Sequence, residues 1–426
     1  MKKRVALSMV LFLTTGILSS VSVYAKDNEN VDELTGTITM ACNQDEAELW
    51  ERVIERFHEV QPGIEVEVSS FTDYTALNQN VMASHQAGTD FDIVEVNHVD
   101  TLSYIKGELL EPLSERFDAD GIDIDSIFMG NLSDMGKLGD TVYTFPIDTD
   151  TRIMLVNTDL FEKYGLEIPK TMDDMLEAGK VISEAGEGDY VFTDEMCTNG
   201  DYFSTYETGI FLQSCGGQLY TVDDQGAATA TIDTDEMRAY LNFITELLQY
   251  MPEDCTTNND AKSAFCEGNI GMYTFGPWEY NNMDMSSIGF NYELIKVPEG
   301  SAGSVSTSGG FQLGIGSGSQ NKDLAYAFIE FILSDNESMA IMGEVGLPTV
   351  EGAYENGVFS DEEKYGVFLE QLKSSNLPQK PVGNLGEVVA CFTGYWNDLC
   401  CGNITVDEMI EEAQPAVQAL LDESNE

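Results

Sequence analysis

Between residues 37 and 96, short apolar stretches alternate with amphipathic ones, and that rhythm commits this part of the chain to a sheet flanked by helices. Residues 37–41 (Thr-Ile-Thr-Met-Ala) read as a strand. A helix is expected over 45–60, because Leu49, Val53, Ile54 and Phe57 fall on one helical face. Pro62-Gly63 turns the chain into 64–68 (Ile-Glu-Val-Glu-Val), whose strict alternation marks a strand with one wet face. Asp73 is positioned to cap a second helix carrying Tyr74, Leu77, Val81 and Met82. Gly88 ends that helix, and 91–96 is a third strand. A β-α-β-α-β order implies a largely parallel sheet whose carboxyl-end loops, at 42–45, 70–74 and 97–100, are free to meet a ligand. Tyr74, Asn97, His98 and Asp100 stand in those loops.

A chain of 426 residues is too long for one simple core and implies two lobes. Its first residues, Lys2-Lys3-Arg4, an apolar run over 5–18 and then Val23-Tyr24-Ala25, read as a secretory signal over 1–25. A polar leader follows over 26–36. The apolar run is short for a membrane span, and no cysteine stands near the cleavage site to carry a lipid. The expected location is therefore outside the cytoplasm, extracellular or in the cell envelope. With 75 acids against 20 bases the formal charge is -55, which repels nucleic acid and anionic lipid and favours a soluble monomer. The same composition makes carboxylate pairs uninformative, because many must be neighbours by chance.

None of the eight cysteines forms a C-x-x-C pair and the three histidines are scattered, so no zinc site and no cofactor are expected. Export permits disulfides, with Cys255 and Cys266 as a candidate pair. The acid-rich run 118–125 departs from the order of acids and glycine in a calcium loop. The glycine-rich run 311–318 lacks the spacing of a phosphate-binding turn.

Two stretches carry chemistry. Residues 143–157 are extended and long enough to pass between two lobes. In them Asp150 and Arg152 alternate in strand register and point to the same side, either as a surface ion pair or as hydrogen-bonding groups at a hinge. In the second stretch a helix ends at Gly268-Asn269, a short apolar strand runs over 270–275, and Gly276-Pro277 breaks it. Trp278 is thereby left just past a strand's carboxyl end, where open α/β sheets bind ligands; the plainer reading is a tryptophan capping the core.

Read together, the signal, the 145–157 stretch and the 268–278 stretch resemble bacterial extracellular solute-binding proteins of the maltodextrin- and oligosaccharide-binding group, the receptors of ABC importers. Supporting pieces are Ser308-Gly309-Gly310-Phe311, Asn321-Lys322-Asp323-Leu324-Ala325 and Gly402-Asn403-Ile404-Thr405-Val406-Asp407-Glu408. The resemblance implies a type II periplasmic-binding-protein fold with mixed, mostly parallel sheets joined by hinge crossings. It implies lobe 1 over 37–149 plus 303–345 and lobe 2 over 150–302 plus 346–426. It places a sugar-stacking aromatic on Trp278, the hinge acid on Asp150 with Arg152 beside it, a first-lobe polar loop on Asn97, His98 and Asp100, and an aromatic on Phe311. Where the maltodextrin receptors carry an aromatic pair on a C-terminal helix this chain has Val388 and Val389, with Tyr395 and Trp396 further along.

A neutral sugar offers apolar C–H faces and many hydroxyls, so its binder needs flat aromatics and planar charged groups. Trp278, Tyr74, Tyr206, Asp150 and Arg152 are of those types. The expected function is a non-catalytic sugar receptor that hands its ligand to the membrane permease subunits of an ABC importer. One alternative keeps the fold and binds a polyamine or another small cation. Another is a cleft-cysteine enzyme of the thiaminase type using Cys42, although the neighbouring Asp45 and Glu46 oppose a thiolate.

Overall fold

The computed structural model describes residues 34–425 apart from 73, 195, 197–208, 224–225, 258–259 and 375–381. The expected cap Asp73 and the expected ligand contact Tyr206 lie outside the described residues. The strands are β1 (Gly36–Asn43), β2 (Ile64–Phe71), β3 (Ile93–Asn97), β4 (Lys137–Leu138), β5 (Thr141–Val142), β6 (Thr144–Pro146), β7 (Ile153–Asn157), β8 (Tyr190–Thr193), β9 (Tyr220–Val222), β10 (Ala228–Ala230), β11 (Ile270–Phe275), β12 (Tyr292–Ile295) and β13 (Phe311–Ile315). Two larger sheets organise them, ordered β2-β1-β3-β13-β6 and β12-β7-β11-β8. The first helices are α1 (Ala47–Val60) and α2 (Tyr74–Ala87).

The β-α-β-α-β opening forms as its pattern dictates, with β1 parallel to both β2 and β3. The helix read over 45–60 begins two residues later. Asn43 accepts a hydrogen bond from Asp45 N at 2.9 Å and sets a tight 3₁₀ turn, Gln44–Glu46, ahead of α1. β13 enters the first sheet antiparallel to both β3 and β6. Its direction is reversed because it arrives from the second sheet's side of the molecule rather than through a right-handed helical crossover.

In β7 the run Ile153-Met154-Leu155-Val156 is buried on both faces. Ile153 and Leu155 pack into one core with α1, the helix Lys322–Ser334 and Phe368. Met154 and Val156 pack into another with the helices Met172–Ala185, Asp235–Leu247 and Val406–Asn425. Alternate side chains of a strand point to opposite faces, so a strand covered on both sides reads as unbroken apolar sequence.

The two sheets are linked through adjacent crossings. Thr149 exchanges backbone hydrogen bonds with Leu347, and its hydroxyl donates to Gly309 O at 2.9 Å. Gly310 holds φ at 125°, and a Cβ there would stand 2.3 Å from Asp148 O, so only glycine permits this close pass of two backbones. Cys266 carries a free, exposed thiol, so the candidate pair with the buried Cys255 does not form. Among the described residues no helix is long and apolar enough to cross a membrane, and no cluster of metal-ligating side chains occurs.

Candidate functional site

The site is built where β3, β13 and the crossings meet. His98 opens the turn after β3; its backbone N–H donates to Gly310 O at 3.1 Å, and its ring Nδ1 lies 3.1 Å from the same oxygen. Burial is the main reason its ring is pulled down to about 4, with Arg152 adding to that effect while Asp150 and Gly310 oppose it. Asp150 accepts from Gly309 N at 3.0 Å and from Arg152 Nη1 at 2.6 Å. Arg152 is only 5% exposed, so this is not the loose surface pair that two alternating charges also allow. Its own N–H donates to Ser306 Oγ at 3.1 Å.

Trp278 closes this group. Gly276-Pro277 ends β11 and the indole folds back over Gly276, where a Cβ would stand 2.2 Å from the ring. The ring is half-buried rather than packed into the core. The Arg152 guanidinium carbon lies 4.7 Å from its centroid, a cation–π contact.

A second group adjoins the first through Asp148. Phe311 N donates to Asp148 Oδ1 at 2.7 Å, and the Phe311 ring stacks on Tyr74 with centroids 4.7 Å apart at 11°. The Tyr74 hydroxyl donates to Glu46 Oε1 at 3.0 Å. Glu95, fully buried on β3, accepts from Trp50 Nε1 at 2.8 Å and from Asn43 N at 3.2 Å. Burial first, and then the negative charge of neighbouring carboxylates, holds Glu46, Glu95 and Asp148 above the usual carboxylate range.

The structure thus brings together Trp278, Asp150, Arg152 and His98, with Tyr74 and Phe311 alongside. Asn97 is half-buried and spends its side-chain oxygen on Val99 N at 3.2 Å, starting the turn that carries His98. Asp100 faces α2 instead, accepting from Asn78 Nδ2 at 2.8 Å, and is best described as a brace for that helix. Trp396 corrects the sequence reading. It is 2% exposed, stacks on Tyr240 at 5.5 Å and donates to Met196 O at 2.7 Å, so it is a core residue of the helix Leu385–Cys400. Val388 on that helix is buried too.

Sequence reasoning missed Glu46, Glu95 and Asp148. One signal was available for Glu95, an acid inside the otherwise apolar Ile93-Val94-Glu95-Val96. Cys42 is fully buried, and burial together with Glu95 and Glu46 pushes its thiol up, which opposes a thiolate nucleophile.

Two mixed sheets joined by neighbouring crossings, with aromatic and charged groups gathered at the strand ends, define a two-lobed α/β binding protein of type II periplasmic architecture. The same fold occurs in the sugar-binding protein MalE from the phytopathogen Xanthomonas citri, with a TM-score of 0.78 at 20% identity over 91% of this chain and 98% of that one. It also occurs in the cyclic alpha-maltosyl-1,6-maltose binding protein from Arthrobacter globiformis, with a TM-score of 0.75 at 18% identity over 91% and 99%. A protein of Brucella abortus (strain 2308) named as a binding protein is 24% identical over 293 residues, 66% of this chain and 68% of its own length. The model of the bacterial extracellular solute-binding protein family matches residues 43–338, and the chain belongs to that family.

Proposed function

We propose that this protein is an exported receptor of an ABC importer, that it binds a sugar or oligosaccharide between its lobes, and that it passes the ligand to membrane permease subunits. The observation that carries the reading is the half-buried indole of Trp278 held beside the Arg152–Asp150 pair at the crossings. A flat apolar surface next to fixed, charge-assisted donors and acceptors suits a ring with C–H faces and equatorial hydroxyls. The solved relatives described above as sugar-binding support the same choice of ligand.

In this reading lobe 1 comprises 37–149 plus 303–345 and lobe 2 comprises 150–302 plus 346–426, with closure about the crossings at 147–152, 303–310 and 346–350. The positive residues and apolar run at 1–25 act as the export signal, and the protein works as a monomer. In this reading the site groups hold the ligand and carry out no catalytic step. Isothermal titration against a panel of neutral oligosaccharides tests the proposal. Saturable one-to-one binding is the expected result, and a panel with no binder alongside a tight polyamine complex would overturn it.

A further inference from the structure

Among the described residues, the three carboxylates beside the Tyr74–Phe311 stack have no ion-pair partner. Glu46, Glu95 and Asp148 are 2%, 0% and 3% exposed, and their hydrogen-bond donors are Tyr74, Asn43, Trp50 and Phe311, all neutral. The other oxygen of Glu46, Oε2, is buried and accepts no hydrogen bond. The neighbouring cation, Arg152, is bonded to Asp150 and stacked on Trp278. Buried carboxylates without compensation are costly, and the cost is removed either by a held proton or by an incoming cation. Acids beside stacked aromatic rings are also the arrangement that local recognition of a cation requires, which a high overall negative charge does not supply.

We propose that this group selects a saccharide carrying a protonated amine, an amino sugar, with the ammonium taken by Glu46 Oε2. The inference rests on the carbohydrate reading above and adds the charge of the ligand to it. Tyr74 must shift to admit the amine, because it is the half-buried group bonded to that carboxylate. The titratable groups facing Glu46 are Asp45 on its own turn, Cys42 on β1, Tyr74 on α2, Glu95 on β3 and Asp148 on the crossing. None of them brings positive charge. The empty site therefore retains a proton that an ammonium makes redundant, and binding releases it.

The test is titration calorimetry of the full chain at about pH 6, where the probe's amines are already protonated and the buried glutamates hold their protons, in two buffers of different ionisation enthalpy. The probes are glucosamine trimer, its neutral N-acetylated counterpart, maltotriose and spermidine. Glucosamine trimer should bind at least tenfold more tightly than the N-acetylated trimer, with net proton release. Glu46→Gln should remove that discrimination; if it does not fold, Glu95→Gln serves, since it removes the charge that keeps the proton in place. Neutral trimers binding as tightly as the amine, or binding of the amine without proton release, would overturn the inference while leaving the carbohydrate reading intact. Spermidine binding with no saccharide binding would overturn both.

Discussion

Arg152 lies over the indole of Trp278, its guanidinium carbon 4.7 Å from the ring centroid, while its Nη1 donates to Asp150 at 2.6 Å. One side chain therefore ties the aromatic that follows β11 to the acid of the crossing. A ligand that uses Trp278 as a platform meets a ring whose position depends on an ion pair, and a ligand that bonds to Asp150 meets a carboxylate already oriented by a buried cation. Preorganisation of this kind lowers the ordering cost of binding.

Trp278→Ala should weaken sugar binding by about 1–3 kcal/mol, the range for losing a stacking aromatic at a binding surface. Its melting temperature should change little, because the ring is only half-buried. Calorimetry and thermal unfolding on the same preparation check this; a collapsed melting temperature with an unaltered dissociation constant would make the indole a core residue.

Asp150→Asn removes the charge that Arg152 and Gly309 N address. Hydrogen bonds to charged groups contribute about 1.5–3 kcal/mol, so affinity should fall roughly tenfold or more. An unchanged dissociation constant would take Asp150 out of the site.

Trp396→Ala should do the opposite. The ring is buried among Tyr240 and Phe392, so its removal should cost about 3–5 kcal/mol of stability and leave ligand affinity in the surviving folded protein unchanged. Urea unfolding followed by titration separates the two effects.

Stability should also depend on pH with a definite sign. Glu46 is raised to about 7 and Glu95 to about 8, both above the ordinary glutamate value of about 4.3 expected of the unfolded chain. Between those values the folded state holds more protons than the unfolded one, so their contribution is complete at low pH and is lost as pH rises through 7 and 8. His98, lowered to about 4, acts in the other direction: its contribution is present above the unfolded value of about 6.5 and is lost as pH falls toward 4. The urea midpoint should therefore fall between about pH 6.5 and pH 8, where His98 no longer offsets the two glutamates, and level off above that; Glu95→Gln should flatten the fall. A wild-type midpoint that stays level between about pH 6.5 and pH 8 would contradict the assignment.

Much of the fold was legible because it follows from periodicity. The face carried by Val53, Ile54 and Phe57 is the buried face of α1, and Gly276-Pro277 ends β11 where a proline must. The pairing of Asp150 with Arg152 was legible for the same reason, since alternate residues of an extended strand share a side. Trp396 was not, because a tryptophan's sequence neighbours do not say whether its helix face meets a cleft or Tyr240. The buried acids were hidden by composition: among 75 carboxylates, Glu46, Glu95 and Asp148 are set apart by burial and by contacts from Tyr74, Trp50, Asn43 and Phe311 that no local sequence pattern announces.

The antiparallel insertion of β13 between β3 and β6 has a consequence for biogenesis. The strand that completes the first sheet is made long after its neighbours, so β1, β2 and β3 wait with an unpaired inner edge until residues 311–315 emerge. Such distant pairing slows folding, because the loop must close before its contacts repay it. On the export proposed above, a first sheet completed this late leaves the chain less compact, and so easier to thread through a membrane channel, for most of its synthesis.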